Sequence, residues 1–176
     1  MLNCSFQQSP AFTLSICNQN KFLAQTISSS SYFVLQLTGS QYQYFSTETG
    51  FIVVDNVTTL YLLDLNSEGD ITVSKKSIEL LAGATKIISA YKVSNTLIVV
   101  QWDNETVGKY TESNGKYGLE KQMKAPTKEL TLAREGILYI DSTQSLLLMS
   151  FSDSSTTTLA QNVDKFTSNG GGLVLI

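Results

Sequence analysis

The 176-residue chain contains no histidine, so the commonest general base and the commonest zinc ligand are both absent. Its aspartates are scattered: Asp55, Asp64, Asp70, Asp103, Asp141, Asp153 and Asp164 mostly follow apolar segments or sit in polar turns. Asp55 and Asp141 each follow four apolar residues, and Gln101 stands at the matching place between them. Two readings are open. The carboxylates form a ring at one rim that binds a cation, or they cap turns by accepting local backbone N–H groups. No Asp-x-Asp-x-Asp-Gly calcium loop occurs. Gly170-Gly171-Gly172 lacks the Lys-Ser/Thr pair and following helix of a phosphate cradle and reads as a turn. Gly-x-Ser-x-Gly is missing, and no Ser or Cys can have a His partner. The expectation is a protein that is not an enzyme, with no cofactor and no metal site.

Cys4 and Cys17 flank a polar loop and lack metal-type spacing. They are either two buried free thiols or a disulfide, and the sequence leaves both open. Lys86, Lys128 and Lys165 share a repeat position, as a basic rim or as ordinary solubilising charge. Aromatics crowd two segments: Tyr32, Phe33, Tyr42, Tyr44, Phe45 and Phe51, then Tyr91, Trp102, Tyr110 and Tyr117. Such residues anchor interfaces and stack on sugars, and they also fill cores. Trp102, Tyr110 and Tyr117 are taken as candidate interaction residues, together with Leu173, Val174 and Ile176 at the end of the chain.

These residues are positioned by a repeat. Tetrads of apolar residues, Phe51 to Val54, Leu97 to Val100, Ile137 to Ile140 and Leu173 to Ile176, begin 46, 40 and 36 residues apart. Each follows a half-apolar segment and a polar turn, and a period of roughly 20–50 residues marks propellers, solenoids and arrays. Charged residues are only 15% and the formal net charge is −3. Ser, Thr and Asn fill the polar positions, which favours strands and turns over helices. Residues 1–10 read as an irregular lead-in. Strands at Phe12 to Cys17, Phe22 to Ile27 and Tyr32 to Leu37 follow, then repeats near 41–81, 84–125 and 127–160 and a partial one at 163–176. The turn cluster Asn66 to Asp70 and the pair Asn114-Gly115 are hairpin signals. Residues 11–176 form a single domain in this reading.

Four antiparallel strands per unit of about 40 residues, with a wholly apolar second strand, predict blades of a β-propeller. The alternating segment Glu105 to Thr111, with its Gly108, fits an outer position or a bulge. Over about residues 40–176 the chain resembles the WD40-like β-propellers, in their degenerate form. Without histidine it has no Gly-His dipeptide, and its Trp102-Asp103 ends a second strand rather than a repeat. The resemblance implies a kinship with propellers of large scaffolding assemblies, such as vesicle-tethering, nuclear-pore and ribosome-assembly complexes.

The fold expected is therefore all-β, an array of four-stranded antiparallel blades forming an incomplete propeller. It is expected to be completed by further chain or by other protein subunits. The function expected is a non-catalytic protein-interaction scaffold in a multi-subunit assembly, the competing reading being a lectin-like carbohydrate- or surface-binding domain. No basic run exceeds Lys75-Lys76, which argues against direct nucleic-acid binding. The first 25 residues lack the charged and apolar regions of a signal peptide and no apolar window is long enough to span a membrane. An intracellular location is the expectation, and the sequons at Asn3, Asn56 and Asn104 carry little weight.

Overall fold

The computed structural model describes residues 4–8, 12–17, 21–26, 32–39, 42–127, 129–168 and 173–175. Among these residues there are eighteen strands and no helix. β-branched and aromatic residues, which suit a pleated and half-buried surface, lie between turns rich in Asn, Ser and Gly.

The chain divides into two compact units, the first comprising Met1–Leu80 and Ser113–Tyr117. It contains the antiparallel meander β1 (Cys4–Gln8), β2 (Phe12–Cys17), β3 (Lys21–Thr26) and β4 (Tyr32–Gln36). A second meander follows, β5 (Tyr42–Ser46), β6 (Gly50–Asp55), β7 (Thr59–Leu65) and β8 (Ile71–Ile78). One face of each sheet enters a common core. Leu14, Phe22, Ala24 and Leu35 meet Phe51, Val53, Tyr61 and Leu63 there, and the Phe22 and Tyr42 rings pack edge to face at 4.9 Å.

The second unit comprises Leu81–Glu112 and Gly118–Ile176. Its strands are β9 (Ile87–Ser94), β10 (Leu97–Trp102), β11 (Thr106–Ser113) and β12 (Lys116–Lys124), then β13 (Thr131–Leu132), β14 (Gly136–Ile140), β15 (Leu146–Ser150) and β16 (Thr156–Ala160), and the hairpin β17 (Phe166–Ser168) and β18 (Leu173–Leu175). Val99 and Val107 pack with Ile137, Tyr139, Leu132 and Phe151 in its core. Asn114 and Gly115, at φ 52° and 83°, make the β11–β12 turn with both central residues left-handed, as the Asn-Gly pair predicts. Lys116 and Tyr117, the opening residues of β12, belong with the first unit. There they pair in parallel with Ser77 and Ile78 of β8.

The first three apolar tetrads lie in β6, β10 and β14, each paired to a strand on both sides, and Leu173 to Leu175 form β18. The expected separate four-stranded blades are not what is observed for β5 to β12, which are ordered β5-β6-β7-β8-β12-β11-β10-β9 in one eight-stranded sheet. Ile52, Val53, Ile98, Val99, Val100 and Ile137 are completely buried. Residues on adjacent positions of a strand face opposite ways, so β6 and β10 are covered on both faces. The first strand departs from the expected lead-in. Residues 4–8 form β1, because backbone pairing to β2 in the register Phe6↔Ser15 needs no apolar run. β13 is short, Thr131–Leu132, and Lys128 lies outside the described residues. Ile71–Ile78 is one continuous strand.

Val99 has no exposed surface and packs in a hydrophobic cluster, where a carboxylate would be buried away from water. Val99→Asp should therefore cost several kcal/mol, a large share of the roughly 5–15 kcal/mol that holds a domain folded. Urea unfolding checks this, and a midpoint equal to that of the parent would contradict the assignment of β10 as an interior strand.

Candidate functional site

The aspartates act on the backbone of their own unit. Asp55, 1% exposed at the end of β6, accepts hydrogen bonds from the Thr38 N–H at 3.2 Å, the Thr38 hydroxyl at 3.1 Å and the Gly39 N–H at 2.9 Å. It thereby ties the loop entering β5 to the end of β6. A Cβ on Gly39 would collide with the side chains of Asp55 and Asn56, so only glycine permits this approach. Asp103 does the same in the second unit, accepting from the Thr85 N–H at 2.9 Å and the Thr85 hydroxyl at 2.5 Å just before β9.

The expected equivalence of Asp55, Gln101 and Asp141 is thus shifted. A register slip against β9 between Gln101 and Trp102 carries β10 further, so Asp103 rather than Gln101 reaches the entering loop. Asp141 serves its own turn, with one carboxylate oxygen accepting from the N–H groups of Thr143 and Ser145 and from the Thr143 hydroxyl. The turn-capping reading describes Asp141, whereas Asp55 and Asp103 accept from the more distant segment that enters the sheet. Among the described residues no three acidic, histidine or cysteine side chains converge as a metal site.

Trp102, Tyr110 and Tyr117, the aromatic candidates for interaction, are 1%, 0% and 0% exposed. Their rings are core rather than surface. The Trp102 indole N–H donates to the Tyr110 hydroxyl at 2.9 Å, which satisfies the one polar hydrogen of the indole. Gly108 makes room for this pair, since a Cβ there would lie 2.5 Å from the Tyr110 ring. That requirement, not an outer position, explains the glycine in β11. Of the terminal candidates, Leu173 and Val174 lie in β18, where they pair with Ser168 and Thr167 of β17. Ile176 lies outside the described residues.

The exposed apolar surface lies elsewhere. Phe6 is 68% exposed, Tyr32 70% and Val34 51%. Strand register aligns Phe6↔Ser15, Ser15↔Leu23 and Leu23↔Val34, so Phe6, Leu23 and Val34 form one row across the first sheet. Tyr32 lies two positions from Val34 and therefore on the same face. At about 4.8 Å per strand spacing the row extends roughly 14 Å. Its opposite face is the one that buries Leu14, Phe22, Ala24 and Leu35. The signal was present in Tyr32-Phe33-Val34-Leu35, which is apolar on both faces of its strand.

In the second unit an open cleft of about 700 Å³ is lined by Thr127, Glu129, Leu130, Thr131, Ile140, Asp164, Lys165 and Phe166. Its charges are mixed, and Asp164 accepts a hydrogen bond from the Gln144 amide at 2.7 Å. Of the basic pair Lys75-Lys76, Lys75 lies over the Tyr61 ring, 5.8 Å from its centre.

No family model and no curated protein matches the chain. A solved structure, that of the N-terminal domain of Nup159, is similar at 13% identity and a TM-score of 0.45, over 88% of this chain and 46% of that one.

The Asp103 carboxyl is held below its ordinary pKa, chiefly by the Thr85 hydroxyl and then by the Thr85 N–H. Because the folded value lies below the unfolded one, the stabilisation is complete above the ordinary carboxylate pKa of about 3.9 and fades as pH falls through the folded value. The stability difference between the parent and Asp103→Asn should accordingly be constant near neutral pH and shrink below about pH 4. Urea midpoints measured across this range test it, and a difference independent of pH would show that Asp103 contributes no charge-dependent tie.

Proposed function

We propose that this chain is a non-catalytic protein-interaction module, part of a WD40-like propeller within an intracellular multi-subunit assembly. The row Phe6, Leu23, Val34 with Tyr32 carries the reading. Within the first unit, the other face of the same sheet is covered by a second β-sheet through Leu14, Phe22, Ala24 and Leu35. A sheet face that keeps large apolar side chains at 51–70% exposure is fitted to receive the same kind of cover. Large apolar side chains exposed together on one sheet face, with Ser15 between Phe6 and Leu23, favour an interaction surface over ordinary scattered hydrophobics. The partner is accordingly another protein that presents a sheet face, joined here as sheets are joined within the unit. β18 offers a further place for strand pairing, a general mode of partner recognition.

The carbohydrate-binding alternative relied on aromatics free to stack on sugars, and three of those it drew on are core. Tyr32 and Phe6 are the exposed aromatics left to it.

Affinity capture with quantitative mass spectrometry, comparing the parent with Val34→Asp, tests the proposal. Val34 is half exposed, so its replacement should leave the unfolding free energy from urea titration within about 0.5 kcal/mol of the parent. Recovery of stably bound proteins should fall about tenfold or more, the factor that 1.4 kcal/mol of lost binding produces. Equal recovery with both chains, or specific glycan-array binding by the chain alone, would overturn the proposal.

A further inference from the structure

We propose that β16 is a self-pairing edge, to which a second copy of this chain adds its own β16 in antiparallel register about Thr157. β16 ends the sheet β13-β14-β15-β16, and its ladder is with β15 alone. The Ser150 N–H donates to the Ser155 carbonyl at 2.9 Å, in the register that continues as Met149↔Thr156, Leu148↔Thr157 and Leu147↔Thr158. Opposed residues of an antiparallel pair alternate between those that exchange hydrogen bonds and those that do not. Counting from Ser155, Thr157 therefore bonds to β15, while Thr156 and Thr158 turn their N–H and C=O groups outward. Among the described residues no strand pairs with them there.

Proteins guard such edges with lysine, proline, bulges or a covering element. β16 carries neither lysine nor proline, and Thr156, Thr157, Thr158 and Leu159 are all exposed. Its bulge falls at Leu159, between the pairs Leu147↔Thr158 and Leu146↔Ala160, and leaves the three threonines in regular register. Symmetry and charge select the occupant. Read in reverse, Thr156-Thr157-Thr158 is unchanged, and no charged residue occurs from Ser154 to Val163. With a two-fold axis at Thr157, Thr156 of each copy faces Thr158 of the other, and their outward groups exchange backbone hydrogen bonds. Thr157 faces its own counterpart as the pair without hydrogen bonds. Threonine opposite threonine favours strand pairing, whereas opposed like charges would weaken it. Such an interface uses the same patch on both copies and closes at the dimer. A strand of five residues supplies far fewer contacts than the roughly 20–30 residues a side of a stable interface. The dimer is accordingly weak and concentration-dependent, and in the dilute chain β16 meets water.

Sedimentation of the full chain over a range of concentrations tests this beside two variants. Thr158→Pro removes an outward N–H where an edge strand tolerates proline, and Thr158→Lys keeps the N–H but charges the edge. The parent should pass from monomer to dimer. Both variants should need a concentration about tenfold higher or more, while Val34→Asp, on the exposed face of the first sheet, should associate like the parent. Directly opposed residues without hydrogen bonds have Cα atoms about 4.5 Å apart, within the roughly 4.4–6.8 Å that disulfides span. Mild oxidation of concentrated Thr157→Cys should therefore give a dimer whose peptide map joins position 157 of one copy to position 157 of the other. The proposal is overturned if the parent stays monomeric up to about 1 mM, if Thr158→Lys associates as the parent does, if Val34→Asp abolishes association, or if no bond joins the two copies of position 157.

Discussion

The constraint on which the structure depends is the burial of both faces of a strand four residues long and wholly apolar. An alternating strand can be satisfied by one layer of sheet with water on its other side. Phe51 to Val54 in β6 cannot, since Phe51 and Val53 point one way and Ile52 and Val54 the other, and all four are buried. Each such strand demands cover on two sides. At roughly 25 cal/mol per Å² of apolar surface, leaving one face wet would forfeit several kcal/mol per strand, comparable with the whole net stability of a domain. Repetition of the tetrad therefore dictates repeated interior strands, each paired to a neighbour on both sides.

Polar groups then fix the ends of these strands. Asp55 and Asp103 tie the segment entering a sheet to the end of its second strand, each through a threonine that donates both its N–H and its hydroxyl. One lies 1% exposed and the other at the surface, yet the arrangement is the same, because the entering loop carries unpaired N–H groups that require acceptors. Trp102 and Tyr110 meet the same requirement inside the core by giving their polar atoms to each other. Such arrangements supply fixed geometry at the strand ends.

Strand placement was legible because it follows from short-range pattern. Phe12–Cys17 has the predicted bounds and the tetrad Leu97 to Val100 lies within one strand, and the Asn66 and Asn114-Gly115 turns lie where their residue types require. What escaped the sequence depends on pairing between strands. β1 lacks an apolar run and exists through its register with β2. Asp103 takes the place anticipated for Gln101 because of a slip between β9 and β10. Aromatic residues carry no label for inside or outside: Trp102, Tyr110 and Tyr117 are buried while Tyr32 and Phe6 are not. Which face of a sheet remains uncovered depends on the stacking of sheets, and local periodicity does not encode it.

Hydrogen exchange of individual backbone amides tests the central claim, that doubly covered second strands organise the fold, most directly. Core strands open only by the larger unfolding events, whereas edges fray locally. The amides of Ile52 and Val53 in β6, Ile98 to Val100 in β10 and Ile137 to Tyr139 in β14 should be the slowest to exchange. Those of the exposed strand β16 should be among the fastest. Slow exchange spread evenly over all the strands, or concentrated outside β6, β10 and β14, would contradict the account.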